Sequence, residues 1–167
     1  MGIEQNIKPF LNNDDKLPRH LGHWLDLPIM DFEGHRNMAV LSYWAFSLIS
    51  LIFEGSPRFK SGQRYWSLGY LGRELRGLTR EGNRFPREIF ENASRLVVLE
   101  LASKGLLERR GDILLEDDIK RSTRFRLVST REALSQAYEY FAFLGEVAGI
   151  DQSEIEAHRR VARELMS

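Results

Sequence analysis

The stretch "RLVVLELASKGLLERRGDILLEDDIKRSTRFRLVST", residues 95–130, decides how the rest of the chain is read. An apolar, helix-like run ends at Lys104-Gly105, where a glycine can take the left-handed conformation that closes a helix. "DILLE" and "RFRLV" have strand character, and the second alternates Phe125 and Leu127 with Arg124 and Arg126, as a half-buried strand does. The "DDIKRST" between them is polar and turn-like. The reading predicts a hairpin over about 112–128 with a charged tip. Thr130 can then N-cap a helix beginning REALSQAYEYF.

Upstream, Pro86 suits the first turn of a helix running to about Lys104. Ile89, Ala93 and Leu96 form one apolar stripe on it, and Phe90, Val97 and Leu101 another. "YWSLGYLGRELRGLTREG" (65–82) predicts a further helix, with Leu68, Leu71, Leu75 and Leu78 on one face. "PRFKSGQR" (57–64) reads as a basic loop. "NMAVLSYWAFSLISLIF" (37–53) predicts a helix that is apolar nearly all round. Its uncharged part, Met38 to Phe53, is 16 residues, short of the roughly 20 a membrane span needs. Such a helix is expected to be buried on both sides, by its own core and by a second subunit. Downstream of Thr130, Gly145 and Gly149 are expected to interrupt the helix. "DQSEIEAHRRVARELM" closes the chain as a short amphipathic one, with His158 at its surface. Pro9, Pro18 and Pro28 break any long period in residues 1–36, an irregular N-terminal arm.

Composition sets outer bounds. The 167 residues are 43% apolar and 29% charged, as in a globular protein with a substantial core, and contain no cysteine. Disulfides, thiol catalysis and cysteine-ligated zinc are thereby excluded. The opening "MGIEQNIKPFLNNDDK" has acids and amides where a secretion signal needs basic and then apolar residues, so a cytoplasmic protein is expected. Net charge is zero, but residues 57–127 hold 16 basic and 10 acidic side chains, while each flank holds 4 basic and 7 acidic. A basic centre between acidic flanks is the pattern of a chain whose middle meets an anion.

The expected fold is mainly α with a small β-hairpin. Three helices followed by a two-stranded hairpin is the order of a winged helix-turn-helix, here over about 57–130 within a domain of residues 37–167. A helix about 10–12 Å across fits the major groove of B-DNA, and a basic hairpin beside it can reach phosphates or the minor groove. Double-stranded DNA is therefore the expected partner. On the recognition helix, about 86–104, the candidate contacts are Arg84, Arg87, Asn92, Ser94 and Arg95. Arg pairs bidentately with guanine and Asn with adenine. Lys120, Arg121 and Arg124 are the candidates on the wing, with Arg58, Lys60 and Arg64 as phosphate contacts from the loop before.

"RLVVLELASKGLLERR" followed by "DDIKRSTRFRLVSTREAL" resembles the signature of MarR-type transcriptional regulators. Lys104, Gly105, Leu106, Leu107, Glu108 and Arg109 match that family's cap at the end of the recognition helix. Asp117, Asp118, Lys120 and Arg121 resemble its wing tip, and Ser129-Thr130-Arg131-Glu132-Ala133 stands where its closing motif lies. The stretch from Gly105 to Thr130 is longer than usual for the family. Ala133 replaces a glycine, and Glu88, Glu91 and Glu100 add carboxylates to the recognition helix. The resemblance implies a homodimeric regulator without a cofactor, its two-fold built from helices 37–53 and 130–167, reading a pseudo-palindrome. It also leaves room for a small-molecule effector, whose identity no residue indicates.

Other readings stay open beside it. Winged helices also serve as protein–protein modules, and the exposed-looking Val98 and Leu99 fit that use. The aromatic residues around 43–44 and 65–70 could line a ligand pocket, although rings at helical spacing more often form core. His20 and His23 lie one helical turn apart with His35 beyond, but no further ligand completes a metal site. No phosphate loop, nucleophile elbow or HExxH is present, so an enzyme is not expected.

Overall fold

The computed structural model describes residues 35–54, 65–78, 83 and 85–167. The N-terminal arm up to residue 34, the basic loop over 57–64 and the expected helical residues 79–82 lie outside them. The described residues are mainly helical, with one small antiparallel sheet. None of their helices is long and apolar enough to cross a membrane.

Helix α1 (His35–Glu54) lies at the centre. All of residues 40–50 are buried within the single chain. Phe46 stacks on Phe141 with ring centroids 4.3 Å apart and meets Tyr138 and Tyr140 edge-on at 6.2 Å. The expectation that a second subunit must cover this helix is therefore corrected: helices of the same chain surround it, which is why it can be apolar on every side. Two of the buried hydroxyls within it have carbonyl partners, Ser42 donating across to Ala93 on another helix at 3.4 Å and Ser47 to Tyr43 one turn back at 3.2 Å. A buried hydroxyl without such a partner would be costly.

Two helices then pack against α1 and each other, α2 (Leu68–Leu78) and α3 (Arg87–Ser103). α2 starts at Leu68, later than the residue 65 expected from the period. Ser67 caps it, its Oγ accepting from the Tyr70 N–H at 3.2 Å. Trp66 is held outside it, exchanging both backbone hydrogen bonds with Phe125. Leu68, Leu71, Leu75 and Leu78 are all buried, as their spacing requires. A Cβ on Gly72 would stand 2.5 Å from Glu91 Cγ, so this glycine lets α2 and α3 approach. α3 starts after Pro86 and ends at Gly105, whose φ of +70° lets the Gly105 and Leu106 N–H groups reach back to the Ala102 and Leu101 carbonyls. Phe90, Val97 and Leu101 face the core as expected, and so does Val98. Leu96 does not: it is 55% exposed.

The sheet departs from the expected hairpin. Strand β1 (Leu107–Arg109) pairs antiparallel with β2 (Asp112–Ile113) through a two-residue turn, Arg110-Gly111, with φ of +53° and +86°. Two successive left-handed residues are the geometry that matches strand twist in the tightest hairpins. β3 (Arg126–Leu127) pairs with the other edge of β1, Leu107 facing Leu127 and Glu108 facing Arg126. The order is β2-β1-β3, and the Trp66–Phe125 bridge extends it beyond β3. "DILLE" and "RFRLV" are thus not partners; both lie beside "LER". Residues 114–124 make a 3₁₀ turn (Glu116–Asp118) and a tight turn over Lys120–Thr123 instead of a hairpin tip. Phe125 and Leu127 point inward and Arg124 and Arg126 outward, as the alternation required.

Thr130 caps α4 (Arg131–Ala148), its Oγ1 accepting from the Ala133 N–H at 3.2 Å. The helix runs uninterrupted through Gly145. That residue is a contact point, where an added Cβ would meet Ile155 Cγ1 at 2.9 Å and Tyr43 Cε1 at 3.1 Å. α5 (Gln152–Met166) folds back along α4, with Ser135 Oγ donating to the Ala162 carbonyl at 2.8 Å and Arg131 Nε to that of Leu165 at 2.9 Å.

His158, expected at the surface, is 1% exposed, because its ring stacks on Phe141 at 3.8 Å. The Tyr43 hydroxyl lies 2.8 Å from its Nε2 and donates to Glu154 Oε1 at 2.5 Å. Burial, and then the neighbouring Glu154, push the Tyr43 phenol far above its ordinary range, so it stays a donor. Burial also raises the Glu154 carboxyl; the Tyr43 bond opposes this and Asp151 adds to it. A raised carboxyl means the folded state holds the extra proton, so this group's contribution to stability falls as pH rises from 4.5 through the raised value. Glu154→Gln keeps an acceptor for Tyr43 without a charge to bury. Urea midpoints measured across that range are expected to flatten in the variant; an unchanged slope would remove Glu154 as the cause.

Candidate nucleic-acid interface

α3 buries one side and exposes the other. Arg87 and Asn92 are exposed and Arg95 partly so, on the face that also carries Glu88, Leu96, Leu99 and Glu100. Ser94 is corrected. It is fully buried and donates to the Phe90 carbonyl at 2.9 Å, so it reads no base. It lies about two positions round the helix from the exposed face, on the side that packs against the core. Arg58, Lys60, Arg64 and Arg84 lie outside the described residues.

Lys120, Arg121 and Arg124 are all exposed. They are not equivalent. Arg121 is paired with Glu91 of α3, whereas Lys120 and Arg124 make no ion pair with another described residue. The tight turn adds two exposed cations that periodicity did not single out, Arg109 and Arg110. Gly111 was the available signal: a glycine after two arginines is where a two-residue hairpin would turn. Arg126 is structural. It pairs across the strands with Glu108 at 2.5 Å and its guanidinium lies 5.3 Å over the Tyr65 ring. Cross-strand pairs of opposite charge contribute about 0.2–1 kcal/mol.

Between the hairpin and the loop beyond it lies an open groove of about 660 Å³. Arg109, Arg110 and Lys120 line it together with Asp112, Asp117 and Asp118. Three cations and three carboxylates sharing one rim give it little net potential. The outward-facing Arg124 lies off that rim, so its charge is not offset in the same way.

No family model, curated protein or solved structure matches this chain. Of the rings in the aromatic-pocket alternative, Tyr43 and Trp44 are core, and Trp66 packs edge-on against Phe125 at 4.3 Å. His20 and His23 lie outside the described residues, among which no three acidic or histidine side chains gather as a metal site would require.

Proposed function

We propose that this chain is a DNA-binding transcriptional regulator built on a winged helix-turn-helix of the MarR type. One observation carries the reading, the order of the sheet. The backbone passes a bridging residue (Trp66), two packed helices, a strand (β1), a cation-bearing loop and a returning strand (β3) that inserts between β1 and Trp66. That connectivity supports the winged-helix reading, in which α3 is the reading helix and residues 110–124 the wing. Asn92 and Arg95 are then the base readers, and Arg87, Arg109, Arg110, Lys120 and Arg124 the phosphate contacts. The homodimer belongs to the same proposal. Its face is not α1 but the outer side of α4, where Phe143 and Val147 are 56% and 54% exposed. Two reading helices related by a dyad would meet half-sites roughly 34–36 Å apart.

A second reading has its own observation. The exposed side of α3 pairs Leu96 and Leu99 with Glu88 and Glu100, a surface better matched to an apolar protein partner than to phosphates. Salt separates the two. Fluorescence anisotropy of labelled duplex DNA is expected to give a log–log salt slope of about −0.9 for each phosphate neutralised, with light scattering reporting a dimer. Absence of duplex binding at low salt would favour the protein-module reading.

A further inference from the structure

Arg121 sits in the tight turn over Lys120–Thr123, yet its Nε and its carbonyl face inward. Its Nε donates to Glu91 Oε1 at 2.5 Å, and its carbonyl accepts the Gly69 N–H from the first turn of α2 at 3.1 Å. The Glu91 side chain is only 13% exposed, against 50% for Arg121. Gly72 makes the room for Glu91, since a Cβ there would strike Glu91 Cγ at 2.5 Å; one at Gly69 would meet Cγ and Nε of Arg121 at 3.5 Å, an ordinary contact that shows how closely the Arg121 stem lies on α2. The turn that carries Arg121 is tied within itself. Thr123 is buried; its N–H donates to the Lys120 carbonyl at 3.1 Å, and its Oγ1 accepts from the Lys120 N–H at 3.0 Å and donates to the Asp118 carbonyl at 3.2 Å. Ile119, 8% exposed, anchors the approach.

We propose that Arg121 is a positioning residue and not a phosphate contact: its pair with Glu91 latches the loop onto α2 and α3 and so fixes where Lys120 and Arg124 present their charges. The proposal rests on the DNA-binding reading for its consequence, though not for its geometry. Lys120 precedes Arg121 directly and Arg124 follows three residues later, both exposed. A loose loop with the same cations would still attract phosphates. It would lose more freedom on docking, and that ordering cost weakens binding.

The full chain and the variants Arg121→Met, Glu91→Ala and their double distinguish the roles. Methionine keeps a stem against Gly69 while removing the charge. Hydrogen exchange at the Gly69 amide reads the latch directly, and anisotropy titration of duplex DNA over a salt series reads its consequence. Each single variant and the double are expected to speed Gly69 exchange by a similar factor, about tenfold, because partners in one interaction do not add. All three are expected to weaken DNA binding about 3–10-fold with the parental salt slope retained, since every cation that meets a phosphate is still in place. Opposite results overturn the proposal. If Arg121 is a phosphate contact, Glu91→Ala frees it and tightens binding, while Arg121→Met lowers the slope by about 0.9. Parental Gly69 exchange in both singles would also overturn it. Were the parent not to bind duplex at all, the regulator reading would fall and the exchange result alone would decide the latch. Were Glu91→Ala not to fold by circular dichroism, Arg121→Met, at a half-exposed site, carries both readouts.

Discussion

Phe46→Ala is expected to remove about 3–5 kcal/mol of stability, the range for emptying a buried aromatic site. Phe46 is fully buried in the central helix, stacked on Phe141 and edge-on to Tyr138 and Tyr140. Three rings from α4 are thereby left without a common partner. A domain of this size holds only about 5–15 kcal/mol in total, so the variant should sit at the margin of folding. Met166→Ala is the control. That side chain is 59% exposed at the end of α5, away from the proposed dimer face, and its removal should cost within about 0.5 kcal/mol. Urea unfolding of both measures the difference. Equal costs would mean that α1 does not lie at the centre of a single-chain core.

The second large effect concerns the wing. Replacing Arg109, Arg110, Lys120 and Arg124 together by alanine should weaken duplex binding by about 10²-fold or more near 0.1 M salt. The log–log slope should shrink by up to about 0.9 for each phosphate left without its cation. All four side chains are exposed and, apart from the carboxylates across the groove, face solvent. The melting transition should therefore move little. Arg160 and Arg163 supply the matched control: they are exposed cations on α5, the helix that packs along α4, and their replacement should leave the slope at the parental value. If the α5 pair proved as damaging as the wing four, binding would be a property of overall charge and not of the wing.

Much of the helical layout was legible because its causes are local. The leucine stripe of α2, the glycine after Lys104 and the threonine before Arg131 each act within a turn or so of their own position. The faces were less legible. Ser94 and Val98 carry polar or exposed-looking sequence contexts but lie on the packed side of α3, and Leu96 lies on the open side. Periodicity gives a stripe's spacing without its absolute orientation. His158, among arginines, looked like a surface residue; Phe141 and Tyr43, on two other helices, bury it. The site was half legible. Lys120, Arg121 and Arg124 are exposed as expected, but nothing near Arg121 in sequence announces Glu91.

What the residues determined by themselves is therefore the set of helices and their caps, since hydrogen bonds and side-chain neighbours three or four positions apart are written in one short window. The tertiary structure alone decided the sheet. "DILLE" could pair with "RFRLV" or with "LER", and both choices satisfy the alternation; the Arg110-Gly111 turn and the bridge from Trp66 to Phe125 select the second. It also decided which cations are available. An arginine's charge is fixed by its chemistry, but whether that charge faces solvent, like Arg124, or a carboxylate on another helix, like Arg121, depends on partners that only folding brings within reach.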